Sequence, residues 1–196
     1  MRPFALPAVA LALFAAPLTA QQPSVRQGFW YGFGFGVGSG KLHCGICNDQ
    51  SGTDLTASIR AGGVLSASWL LGVELDGWTN SQEVATRRSW SASAVALWYP
   101  WPAGGAYAKG GLGFTGYRAS DDEDVISTTQ AGLLIGIGYE WRVGKKSSIN
   151  PYINYQHTLA GDLQFKHTED NTVTTAVIAD DASVSSIQFG VGLVIH

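Results

Sequence analysis

The chain has 196 residues, of which only 14 % are charged, with 25 glycines, 7 Trp, 7 Tyr, 8 Phe and a mean hydropathy of +0.07. Its 12 basic and 15 acidic residues leave a formal charge of -3. One folded domain fits this length, and the basic footprint that phosphate backbones require is missing, so nucleic acid is excluded as a partner.

The first twenty residues, MRPFALPAVALALFAAPLTA, place Arg2 before an apolar stretch and end on the small residue Ala20. That layout reads as a secretory signal peptide over 1–20, with cleavage expected after Ala20 and a single domain over 21–196. A membrane-spanning anchor needs about 20 apolar residues. Here Leu6 to Phe14 is short, and Pro3, Pro7 and Pro17 interrupt the segment.

Further on, no stretch approaches about 18 consecutive apolar residues, and glycines fall where each would cost a helix about 1 kcal/mol. A period of two fits instead. Over 29–37 one face reads Phe29, Tyr31, Phe33, Phe35, Val37 and the other Trp30, Gly32, Gly34, Gly36. Next come Leu55, Ala57, Ile59, Ala61 against Thr56, Ser58, Arg60, Gly62, and then Trp69, Leu71, Val73, Leu75 against Leu70, Gly72, Glu74, Asp76. The pattern returns from Trp90 to Trp98, from Ala106 to Gly116, over 129–141 and, less regularly, over 149–159. A final segment sets Ile187, Phe189, Val191, Leu193, Ile195 against Ser186, Gln188, Gly190, Gly192, His196. Eight such segments predict an all-β fold, an eight-stranded antiparallel up-and-down barrel.

The connections alternate in length. Short links fall at 66–68, 100–105 and 144–148, and longer polar links at 38–53, 80–87, 118–128 and 161–183. Short turns at one end and long loops at the other are the pattern of transmembrane barrels of the outer membrane. The face opposite the apolar one carries mostly Gly, Ser and Thr, which suits the narrow interior that eight strands enclose. The apolar face is therefore expected to meet lipid. Trp90 and Trp98 share that face and stand about 20 Å apart along the membrane normal, the spacing of two aromatic girdles. Trp69, Tyr139 and Trp141 lie near the short-turn ends and are assigned to the periplasmic girdle.

With its export signal, strand count, loop alternation and closing strand, the chain resembles the small eight-stranded outer-membrane β-barrel family of the OmpA transmembrane domain and OmpX/Ail type. The closing strand of that family ends on an aromatic residue preceded by apolar residues at every second position. Here Phe189, Val191, Leu193 and Ile195 keep the pattern, which stops one residue early before His196. The resemblance implies a bacterial outer-membrane location, contact with outer-membrane lipids and lipopolysaccharide, and handling by the barrel-assembly machinery. It implies no cofactor.

Inward charges are the first candidate site. Antiparallel register places Arg60 opposite Glu74 or Asp76, and Lys109 and Glu140 lie at similar distances from a short turn on neighbouring strands, so lumen salt bridges among these five are expected. They read either as a plug or as a polar gate. Cys44 and Cys47, in His-Cys-Gly-Ile-Cys, are the only cysteines, and an exported protein favours their disulfide over a redox or metal role. Asp121, Asp122, Glu123 and Asp124 form an acidic loop tip, a solvated charge run or a divalent-cation bridge to lipopolysaccharide phosphates. Val173, Thr175 and Val177 alternate with Thr174, Ala176 and Ile178, so residues 172–178 either prolong strands above the membrane and offer an edge to a partner, or form a flexible loop.

His157 invites comparison with lipid A deacylases, barrels of this size with a Ser two residues after the His. Leu159 stands at that position, so a catalytic role is not expected. The reading is a structural or surface-interaction barrel acting through the long loops 38–53 and 161–183, with the lumen plugged. The alternatives are a lipid-modifying enzyme and a narrow pore.

Overall fold

The computed structural model describes residues 26–45, 50–81, 86–120, 124–169 and 172–196. They form ten strands and, among the described residues, no helix: β1 (Phe29–His43), β2 (Gln50–Ser66), β3 (Trp69–Ser81), β4 (Thr86–Trp98), β5 (Ala106–Ser120), β6 (Asp124–Tyr139), β7 (Trp141–Arg142), β8 (Ser147–Thr158), β9 (Gly161–Glu169) and β10 (Thr172–Ile195). Each of β1 to β5 pairs antiparallel with the next. β6 then pairs with β8 through Gly132–Gly138 and with β9 through Asp124–Ser127, and β10 pairs with both. β8 and β9 are thus two halves of one stave, interrupted at Leu159–Ala160. β10 closes the ring on β1, from Tyr31↔Ile195 to His43↔Ser183. The result is an eight-stave barrel, with β7 a short return against β8.

The alternation in sequence becomes the two surfaces of this barrel. On β1, Phe35 is 67 % exposed on the outside whereas Trp30 is 0 % exposed inside. The outward face continues with Leu55, Ile59, Val73, Leu75, Leu112, Phe114, Ile135, Ile137 and Val191, all exposed. An apolar surface of this extent is incompatible with water on all sides, and closing the ring leaves no unpaired edge within the apolar band.

The inner surface is made possible by glycine. Gly36 faces Gly190 across β1 and β10, and Gly62 faces Gly72 across β2 and β3. A Cβ on Gly36 would run into the Phe189 carbonyl, and one on Gly190 would meet the ring of Tyr152. The bare backbone there is the floor on which inward aromatic rings lie.

The strands run well past the expected ends. Segments 38–53, 80–87, 118–128 and 161–183, expected as loops, are mostly strand, and the connections between strands on that side shrink to 44–49, 82–85, 121–123 and 170–171. Above the membrane both faces of a strand meet water, so the apolar/polar contrast that marks a strand in sequence vanishes although the ladder continues. Thr172–Ile178 belongs to β10 and pairs with β9 from Thr172↔Glu169 to Val177↔Gln164. The short turns at the other end are close to the expected positions.

Candidate functional site

The lumen is filled in layers. Nearest the short turns, the Glu140 carboxylate accepts a hydrogen bond from the Tyr99 hydroxyl at 2.6 Å and faces His196 Nε2 at 3.2 Å and Arg26 Nε at 3.6 Å. Arg26, just before β1, stacks its guanidinium 3.5 Å from the Tyr99 ring and donates to the carbonyls of Pro102 and Gly104 at 3.0 and 2.8 Å. Above this lies a small apolar core of Trp30, Leu70, Val95, Leu97, Leu134 and Val194 with the rings of Tyr99 and Tyr107.

The next layer is charged. Lys109 Nζ donates to both oxygens of Glu74 at 2.5 and 2.6 Å, and Asn154 adds a bond to Glu74 at 3.3 Å. Arg60 donates to the Tyr107 hydroxyl at 3.1 Å and to Asn150 Oδ1. Further out, Asp76 Oδ2 accepts from Ser91 and Gln156, each at 3.1 Å. Gln130 donates to the Ala182 carbonyl at 2.8 Å and accepts from Thr158 at 2.6 Å, closing the upper lumen. A crevice beside Asp76, Trp78 and Tyr117 keeps about 20 Å3 of free space, room for one water molecule.

Two expected pairings are corrected. Arg60 stands opposite Glu74 in the ladder, but its guanidinium is held by Tyr107 and Asn150, and no ion pair joins it to Glu74 or Asp76 among the described residues. Lys109 does not meet Glu140. It faces Gly136 on β6, four residues above Glu140, and the missing Gly136 side chain lets it extend across the lumen to Glu74. Glu140 is occupied by Arg26 and Tyr99, which lie outside the strand pattern and which sequence periodicity does not rank, and by His196, which the period of two does place on the inward face. Asn150, Asn154 and Gln156 were also missed, although they follow the inward period of β8.

On the outside, Trp69 and Trp98 stack at 6.3 Å, and Tyr139 and Trp141 lie 5.5 Å apart near the short turns. Trp90, 52 % exposed, sits on the same outward face towards the other end. One row above Trp90, Arg88 and Arg118 are directly opposed, flanked in the ladder by Thr79 and Ser127. His157 points outward, stacked on Tyr155 at a centroid distance of 6.4 Å. Ser185 is its ladder partner, but no hydrogen bond joins the two among the described residues and His157 Nδ1 has no acceptor. That pair lacks the carboxylate that orients a catalytic imidazole.

Cys44 lies at the end of the described first connection, and Cys47 lies outside the described residues. Asp121, Asp122 and Glu123 also lie outside them, whereas Asp124 Oδ1 is 2.6 Å from His167 Nδ1.

A closed antiparallel ring with an apolar exterior, aromatic bands and a polar interior defines a transmembrane β-barrel. The chain belongs to the outer membrane protein beta-barrel domain family, whose model matches residues 7–194, and this places it in the bacterial outer membrane. Solved structures with the same fold include Neisserial surface protein A (NspA), at 17 % identity, 86 % coverage of this chain and 99 % of that one, with a TM-score of 0.50. Ail, the attachment invasion locus protein of Yersinia pestis, has 13 % identity, 86 % and 99 % coverage and a TM-score of 0.50. OprG from Pseudomonas aeruginosa has 14 % identity, 87 % and 97 % coverage and a TM-score of 0.50. None of the curated proteins matches the chain in sequence.

Proposed function

We propose that this outer-membrane barrel is a non-catalytic surface-interaction protein that engages an extracellular partner through its projecting strands. The observation that carries this reading is the β9–β10 hairpin. β1 pairs with β10 only as far as His43↔Ser183, so Thr172–Ala182 have no strand on that side among the described residues. Residues 174–178 are exposed, and an open, β-prone edge of this kind is a template for strand addition. The filled lumen supports the same reading over a pore, and the unoriented His157 supports it over a lipid-modifying enzyme.

The test shortens the hairpin. With residues 165–176 replaced by Asn-Gly, a two-residue turn closing on Gln164↔Val177, the barrel is expected to keep its faster migration in unheated detergent gels. Cells displaying the intact protein are expected to bind at least one of a panel of purified matrix and serum proteins, and cells displaying the short variant to lose that binding. No binding by the intact protein, or equal binding by both, overturns the reading.

In this reading residues 1–20 direct export and are removed, the assembly machinery reads β10, and a Cys44–Cys47 disulfide braces the first outer connection. Arg88 and Arg118, opposed without an acidic partner among the described residues, hold lipopolysaccharide phosphate at the level of Trp90. Intact mass of the protein from outer membranes tests the processing and the disulfide together. The expected mass corresponds to 21–196 less two hydrogen atoms, and a full-length or fully reduced mass removes the respective claim.

A further inference from the structure

At one seam of the outward surface the strand pairing is interrupted. Between β6 and β8 the ladder ends at Gly138↔Tyr152, because the next residue of β8 is Pro151, which has no N–H to donate. The gap is bridged from inside by Asn150 Nδ2 donating to the Tyr139 carbonyl at 3.1 Å. Outside, the small side chains Ala106 and Ala108 leave a groove of about 540 Å3 walled by Pro100, Ile137, Pro151 and Ile153. Tyr139 stands at its lower end, in the aromatic band beside Trp141.

Directly below, the turn joining β7 to β8 carries Arg142, Lys145 and Lys146, with both lysines exposed. Pro151 is about 13 Å from Ser147 along β8 at ~3.3 Å per residue, so groove and basic turn sit one above the other on the same strands. Among the described residues no acidic side chain is exposed at this end, since Glu140 is buried against Arg26 and His196. The short-turn end of such barrels is periplasmic, so the groove opens to the inner leaflet, where the surrounding solvent is phospholipid.

We propose that this seam is a binding site for one anionic phospholipid of the inner leaflet. An acyl chain fills the groove, and the headgroup phosphate lies on Lys145 and Lys146. The apolar walls recognise the chain and the basic turn selects the charge, each lysine near the surface adding attraction for an anionic headgroup.

The test inserts the full protein into nanodiscs of equal phosphatidylglycerol and phosphatidylethanolamine and counts the lipids it retains by native mass spectrometry. The wild type is expected to retain one phosphatidylglycerol at least several-fold more often than phosphatidylethanolamine. Lys145→Gln with Lys146→Gln is expected to bring the ratio close to one while a lipid is still retained. Ala108→Trp, which fills the groove, is expected to lose the retained lipid of either kind, with heat-modifiable gel migration checking that the barrel is folded. Equal retention of the two lipids by the wild type, an unchanged preference in the lysine variant, or a groove variant that keeps its lipid overturns the proposal. A dimer that Ala108→Trp dissociates also overturns it, since the occupant is then a second copy of the chain.

Discussion

Glu74→Ala is expected to cost roughly 3–5 kcal/mol of barrel stability, because it strands a buried ammonium. Lys109 is 4 % exposed, and both of its side-chain hydrogen bonds go to Glu74. The penalty is mostly that of an uncompensated charge and not the intrinsic worth of the pair. Replacing both partners with apolar residues, Glu74→Leu with Lys109→Met, should therefore recover most of the loss. Urea unfolding in lipid vesicles, followed by tryptophan fluorescence, measures both. A single variant that loses less than about 1 kcal/mol, or a double variant no better than the single, would show that the Lys109–Glu74 pair is not what holds the middle of the lumen together. One further variant examines the pore alternative, since a steady conductance appearing in planar bilayers only after Lys109→Ala would make the pair a gate.

The second large effect is at a glycine. Gly36→Val is expected to prevent closure of the barrel or to destabilise it by about 3 kcal/mol or more, because the new Cβ would overlap the Phe189 carbonyl and the Cα of Gly190, backbone atoms of the closing strand. Gly110→Val is the control. Nothing lies within 4 Å of a Cβ there, and the side chain would join the lipid-facing surface, so its effect should stay within about 0.5 kcal/mol. Both are read as the fraction of protein showing heat-modifiable migration after refolding. Equal folded fractions would mean that β1 and β10 can separate enough to admit a side chain.

Strand number and facing were legible because each stave crosses two solvents, and Phe29 to Val37 against Trp30 to Gly36 records lipid on one side and lumen on the other. The staves' outer ends were legible only in part: residues 172–178 left strand and loop equally open, since 174–178 are exposed on both faces and hydrogen-bond as a strand without apolar contrast. The inward charges were recognisable as a set, but their partners were not. Register gives which residues are neighbours within the sheet, whereas a lumen is crossed by side chains from opposite walls. Lys109 on β5 reaches past β4 to Glu74 on β3, and the absent Gly136 side chain on β6 leaves room for its stem, a contact between next-but-one staves that ladder register does not give. Arg26 and Tyr99 lie outside the strands, and nothing in a period of two marks them.

The interruption at Leu159–Ala160 divides the molecule mechanically. Below it the seventh stave is held by backbone ladders on both sides, from Gly132↔Thr158 downward to β6 and from Ser185↔His157 downward to β10. At the interruption itself, single bonds stand in for a ladder: Leu159 N to the Ala131 carbonyl, Thr128 to the Asp162 carbonyl and Gln130 to the Ala182 carbonyl. Load applied to the projecting hairpin therefore reaches the ring by two unequal routes: along β10, which runs unbroken from Thr172 to Ile195, and along β9, which is laddered to β6 at Asp124–Ser127 but meets β8 only at this joint. The seventh stave can hinge there while β10 keeps its register with β1 and the ring that seals the membrane stays closed.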